Sequence, residues 1–474
     1  MTDRHVNGSM GLTRGDVIAR VAGLLAVVMI GALVAGQICM RIAPGWAALN
    51  WVAAAAAVML ALIRLPHVQR IARIFAIAAL GVAALVALAA PEALPAMTRA
   101  LFQGTAFSAF LTTLGLIRAP VRASRVIGVA AARLFAYPAR MRSAAMTFGA
   151  QFLSVLFNIG TIGMMSDIAT DHAARARAEG KPGIDPAPVT LAALRGTILM
   201  TVWNPIGVGF AIVTSAIPGL DPVRFLALSF GAAMLVSAGS LLIGRTAATA
   251  DPESTATVQG GRALAAILAA VAGLIAVTLA LHRGLDISFL VAACLVLPLL
   301  AVLWPRIEPA ARAPKGTSPL AALSEASAVM ANEATIFLAA AVIGAGVSVA
   351  LNALGIGALI ESGALPALAI ILGCLVLIPL AGALMIPHSI VMVMAAQLFG
   401  AGPVGAAHPF ALALALCFAW ALAISASPIS AMSIITGRHL HMPPTRVTFA
   451  VNRAFTLYGL AASAALITLI YFLE

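Results

Sequence analysis

Charged residues are scarce in this chain of 474 residues: Asp, Glu, Lys and Arg together make up 9% of it, where a soluble domain carries about 25%. Acidic residues are the scarcer sign, 16 against 28 basic ones. Beside so few charges stand 62% hydrophobic residues, more than a water-soluble core can bury, which excludes an ordinary soluble enzyme or binding domain. Cysteine is sparse too: Cys39, Cys294, Cys374 and Cys417 stand far apart, three of them inside apolar segments, so neither a disulfide framework nor a metal cluster is implied. There is no Gly-x-x-x-x-Gly-Lys phosphate loop to drive a pump and no His-Glu-x-x-His zinc motif. Although His388 precedes Ser389, no nucleophile-elbow pattern leads up to that serine. The net charge of +12 would suit nucleic acid, but the Lys and Arg residues fall in short connections between apolar runs, which is the pattern of membrane topology.

What the chain does have is long apolar runs. A helix crossing the hydrocarbon needs about 20 mostly apolar residues. Such runs predict spans near 17–37, 45–63, 74–90, 98–117, 189–217, 223–244, 262–282, 286–304, 334–352, 408–437 and 448–472, about eleven in all. Met1 to Asp16 is polar, and the first run passes Arg20 to about Gln37 without a small-residue cleavage site, so it reads as a permanent span. With the N-terminus in the cytoplasm, Arg64, Arg70, Arg73, the Arg-rich stretch 118–143, Arg175, Arg177, Lys181, Arg245, Arg306, Arg312, Lys315 and Arg438 all face inside. The expected setting is a bacterial-type inner membrane with the C-terminus outside. Asp167 and Glu333 lie near span ends and read as anchors, and the Arg-rich stretch reads as a helix along the cytoplasmic surface.

Two more apolar stretches, 144–168 and 367–397, keep the charge count consistent only if each enters the membrane and returns to its own side. The fold expected is therefore an all-α polytopic membrane protein of about eleven transmembrane helices with two re-entrant hairpins. Residues 101–230 and 330–455 follow one plan, and the first copy starts outside while the second starts inside, as in an inverted repeat. Val202-Trp203-Asn204-Pro205-Ile206 corresponds to Ser425-Ala426-Ser427-Pro428-Ile429, and a proline in mid-span opens a helix. The hairpin tips read Leu156-Phe157-Asn158-Ile159-Gly160-Thr161 and Ile386-Pro387-His388-Ser389. The chain divides into N-terminal scaffold spans over 1–97, a first repeat over 98–244, linking spans over 245–333 and a second repeat over 334–474.

On these motifs, over roughly residues 98–472, the layout resembles the ion transporter superfamily, which includes divalent anion/sodium symporters, arsenite carriers and several sodium/proton antiporters. In the symporter branch each hairpin tip carries Ser-Asn-Thr. Here Asn158 stands in the Asn place and Thr161 in that of a following hydroxyl, whereas the second tip has Pro387-His388-Ser389. The resemblance implies sodium at Asn158, Thr161 and Asn204, and a homodimer formed through the first spans.

The candidate site is then Asn158, Gly160, Thr161, Asn204, Pro205, His388, Ser389, Ser425, Ser427, Pro428 and Ser430. These residues offer neutral oxygens, N–H groups and opened backbone, and nearby helix N-termini add partial positive charge suited to an anion. His388 titrates near neutral pH and is a candidate for moving a proton. The expectation is secondary carriage of a small carboxylate or oxyanion by alternating access, with H+ or Na+ as coupling ion. No resident cofactor, catalytic residue or nucleic-acid partner is expected, and lipid is the other partner. An intramembrane hydrolase and a cation/proton antiporter are the competing readings.

Overall fold

The computed structural model describes residues 14–180, 183–243, 258–308, 318–355, 359 and 365–474. Among these residues the chain is helical throughout, with no strand. Ala- and Leu-rich runs favour helix, and in a medium without water a helix satisfies every backbone N–H and C=O within its own segment. The helices are α1 (Arg14–Cys39), α2 (Ala48–Arg64), α3 (Arg70–Ala89), α4 (Leu94–Arg122), α5 (Arg125–Phe135), α6 (Ala139–Phe157), α7 (Gly160–Ala178), α8 (Pro186–Trp203), α9 (Val208–Ala216) and α10 (Pro222–Ser240). There follow α11 (Val258–Gly284), α12 (Phe289–Ile307), α13 (Pro319–Val329), α14 (Ala331–Ala353), α15 (Ala367–Ala383), α16 (His388–Gly400), α17 (Pro403–Ala407), α18 (Pro409–Ala426), α19 (Ala431–His439) and α20 (Arg453–Leu473).

Eleven helical segments among the described residues are long and apolar enough to cross a membrane, in the order the sequence predicts. Two of them, Pro186–Ala216 and Pro409–His439, are the interrupted ones. Their breaks fall after Trp203 and Ala426, where the proline steps predict them. The last span starts later than expected, at Arg453 instead of residue 448. The preceding Val447–Val451 forms a π turn, closed by the Asn452 N–H bonding the Val447 carbonyl at 2.8 Å. The polar N-terminal stretch up to residue 13, and the basic residues Lys181, Arg245, Arg312 and Lys315, lie outside the described residues.

Burial sorts the spans into a centre and a periphery. In the interrupted spans 83% of the most apolar stretch is buried, against 17% in α3, whose remaining apolar surface suits lipid. Around this centre the two halves repeat each other's contacts. Both α6 and α7 lie against α8, and both α15 and α16 lie against α18. Further, α10 packs on α8 as α20 packs on α18, while α4 and α14 pack against each other. Across the halves, α7 meets α19 and α16 meets α9, so each helix pair touches the interrupted span of the other repeat. α6 approaches α8 closely at Gly196, where an added Cβ would run into the Thr147 carbonyl.

The Arg-rich stretch contains the amphipathic α5. Ile127, Ala130, Ala131, Leu134 and Phe135 are buried on one face, with Arg125 and Val129 exposed on the other. Glu308 closes its N-terminus, accepting from the backbone N–H of Arg125 at 2.5 Å and of Val126 at 3.1 Å, as suits a carboxylate at a helix start.

Candidate functional site

The first break is closed by its own residues. Asn204 ends α8, and its Oδ1 accepts from the Ile206 N–H at 3.1 Å, while its carbonyl accepts from the Gly207 N–H at 2.8 Å. This is an Asx turn, which lets Pro205 follow without leaving donors bare. Pro205 is buried and α9 restarts at Val208. Ahead of the break, Trp203 Nε1 donates to Gln151 Oε1 at 3.1 Å, and Gln151 Nε2 donates to Ser237 Oγ at 2.6 Å, which ties α8 to α6 and α10.

The second break draws on its neighbours. Ser425 Oγ lies 2.7 Å from Thr456 Oγ1 and accepts from Asn452 Nδ2 at 2.9 Å, both partners at the start of α20. Ser427 is the residue at which α19's predecessor α18 ends, with Pro428 buried after it. Ser430 caps α19, accepting from the Ser433 N–H at 3.2 Å, and its hydroxyl donates back to the Ile424 carbonyl at 2.9 Å.

At the first tip, Asn158 ends α6 with φ 50° and ψ −133°, a positive-φ conformation that is uncommon for any residue but glycine. It is half-buried, and α7 restarts two residues later at Gly160, where a Cβ would lie 2.7 Å from the Phe157 ring. Thr161 is fully buried, and its Oγ1 has no hydrogen-bond partner. Below the tip, Ser154–Thr197 and Ser166–Thr190 hydroxyl pairs, each at 2.8 Å, fasten both arms to α8. At the second tip Met385 takes the left-handed turn at φ 62°. The His388 ring stands edge-on to Trp420 of α18, centroids 5.0 Å apart, and Ser389 is half-buried beside it. Trp420 also lies against Gly209 in α9, so the second tip reaches the first interrupted span through this indole.

Two hydrogen bonds run within the predicted set: Thr161 N–H to the Asn158 carbonyl at 3.1 Å, and Ser430 N–H to the Ser427 carbonyl at 3.2 Å. Sequence reasoning passed over Trp420, Asn452, Thr456 and, most of all, Arg195. Arg195 stands in the middle of α8, its Nε donating to Asn452 Oδ1 and its Nη1 to the Ile243 carbonyl, both at 3.3 Å, with the guanidinium carbon 5.5 Å above the Phe455 ring. The signal was there: one arginine in an otherwise uncharged, mostly apolar run from Leu191 to Trp203, where a charge is costly and marks a role. Reading basic residues as loop markers hid it. Asp167, expected as an anchor, is exposed and faces His439 of α19 at 3.6 Å, a contact between the two repeats.

This fold has a solved counterpart. The YdaH transporter of Alcanivorax borkumensis is similar to this chain at a TM-score of 0.56, covering 84% of this chain and 96% of that one, at 16% identity. The likeness is one of fold: an integral membrane protein with a transporter architecture. No family profile matches the sequence, and no curated protein matches it.

Proposed function

We propose that this protein is a secondary carrier that moves a small anionic solute, a carboxylate or an oxyanion, across the inner membrane by alternating access. The observation that carries the reading is the pairing of two deeply buried, interrupted spans, each touched by the helix pair of the other half. Broken helices meeting near the middle of a membrane are the way many carriers build a binding site, with opened backbone and helix ends as its walls. In this reading the starts of four helices face that site: α7 at Gly160, α9 at Val208, α16 at His388 and α19 at Ala431. Their N-termini supply donors and partial positive charge, which favours an anion over a cation.

In this reading α6–α7 and α15–α16 are re-entrant hairpins entering from opposite sides, the N-terminus is cytoplasmic, and the chain belongs with the ion transporter superfamily. Asn158, Gly160, Thr161, Asn204, Pro205, His388, Ser389, Ser425, Ser427, Pro428 and Ser430 line or shape the pathway. The buried, unpartnered Thr161 hydroxyl suits a site for a coupling Na+ shared with Asn158 and Asn204, and H+ carried by His388 is the alternative coupling. Dimerisation through α1 to α3 would cover part of their exposed apolar surface.

Uptake into proteoliposomes with a panel of carboxylates and oxyanions, under imposed H+ or Na+ gradients, tests the proposal. Wild type should accumulate at least one anion against its gradient. Asn158→Ala and Asn204→Ala should each lower the rate by about tenfold, the equivalent of roughly 1.4 kcal/mol for one lost hydrogen-bonding group. Absence of gradient-driven flux overturns the carrier, and full flux in both variants overturns the site.

A further inference from the structure

Between α6, α8 and α10, away from the breaks, lies a cavity of about 180 Å³ whose lining includes Ser143, Thr147, Leu191, Ala192, Arg195 and Ser240. Ser143 and Thr147 sit one turn apart on α6 and so share a face, across from Arg195 on α8. The lining residues thus include an arginine, two serines and a threonine, and neither Asp nor Glu; of the hydroxyls, that of Ser240 already donates to the Ser237 carbonyl at 2.7 Å. Arg195 forms no ion pair among the described residues; its two hydrogen bonds go to neutral oxygens at 3.3 Å, the long end of the ordinary range. A cation within a span is costly, and neutral acceptors at that distance leave its charge without a counterion.

We infer that this cavity binds a phosphate-type oxyanion, held by the fork of Arg195 and by the hydroxyls of Ser143 and Thr147. A guanidinium offers two parallel N–H bonds to such a group, and charge-assisted bonds of this kind are about twice as strong as neutral ones. A tetrahedral oxyanion has enough oxygens to engage the arginine and the hydroxyls together, where a carboxylate has only two. An engineered cavity of roughly 150 Å³ holds a molecule as large as benzene, so the volume admits one such group. Free oxyanion and the phosphate of an anionic lipid present the same chemistry to Arg195. None of the residues proposed for the transport pathway lines this cavity, so the site is a second one.

The full chain, purified in detergent and stripped of lipid, is titrated with inorganic phosphate by calorimetry. Saturable binding is expected, weakened by about tenfold or more in Arg195→Gln and by a smaller factor in Arg195→Lys, which keeps the charge and loses the fork. Leu191→Phe, which fills the cavity without touching the Arg195 bonds, should weaken phosphate to the same degree and decides the matter if Arg195→Gln does not fold. In parallel, native mass spectrometry compares retention of phosphatidylglycerol with phosphatidylcholine. Selective retention of the anionic lipid, lost in the same variants, assigns the site to a lipid phosphate; phosphate binding without it assigns a free solute. Variants that bind phosphate and retain lipid as wild type does, or a wild type that does neither, overturn the inference. Because binding is read without flux, a chain that binds phosphate at Arg195 yet carries nothing refutes the transport proposal alone.

Discussion

The two interrupted spans are buried to the same degree and carry the same Pro-Ile step, yet they close their breaks by different means. After Trp203 the closure is local: the Asn204 side chain bonds the backbone two residues ahead. After Ala426 the local bond from the Ser430 hydroxyl to the Ile424 carbonyl is joined by borrowed ones: Ser425 is held by Asn452, just ahead of α20, and by Thr456 within it, and Asn452 in turn accepts from Arg195 of α8. A break that is closed by its own turn can stay formed while its surroundings move. One that also leans on a neighbouring helix is tied to that neighbour, and Asn452 is the link between them.

The sharpest way to break this comparison is Asn452→Leu. Asn452 is almost fully buried, and its loss leaves a guanidinium N–H without its acceptor and takes one of the two partners of Ser425, so unfolding in detergent should show a loss of about 2–3 kcal/mol. Asn204→Ala should cost less, about 1 kcal/mol, because only one local bond goes and the proline keeps the turn biased. If chemical denaturation ranked these two the other way round, the first break and not the second would be the dependent one. The smallest effect is expected at Asp167→Asn. This removes the exposed carboxylate facing His439 across the repeats, and the thermal midpoint should move by no more than about 0.5 kcal/mol implies, as for most surface pairs. A larger change would mean that α7 and α19 are locked together more firmly than the exposure of Asp167 suggests.

Most of the architecture was legible along the chain because its causes are local. Apolar length marks a span, a proline marks an opened helix, and Asn158 and Met385 fall where the apolar hairpin stretches turn. The amphipathic α5 was legible for the same reason, its apolar residues recurring at helical spacing among arginines. The start of the last span was misplaced by about five residues, since the π turn over Val447–Val451 has a composition like that of the helix it precedes. The site was legible only in part. Asn204, Ser425 and Ser430 announced themselves as polar residues beside prolines in apolar runs. Trp420 and Thr456 resemble ordinary core residues in one dimension, and their part emerges only from what they touch, His388 in one case and Ser425 in the other.

By itself, then, the order of residues determined the medium, the number of spans, where two of them open and the likeness between the halves. Each of these follows from the free energy of placing a short segment in hydrocarbon, a property the segment has before it meets any other. Only the tertiary structure decided which polar groups answer one another. That Arg195 leans on Asn452, that Asn452 holds Ser425, and that residues of α6 and α10 line one cavity with Arg195 all depend on helices distant in sequence being pressed together by packing.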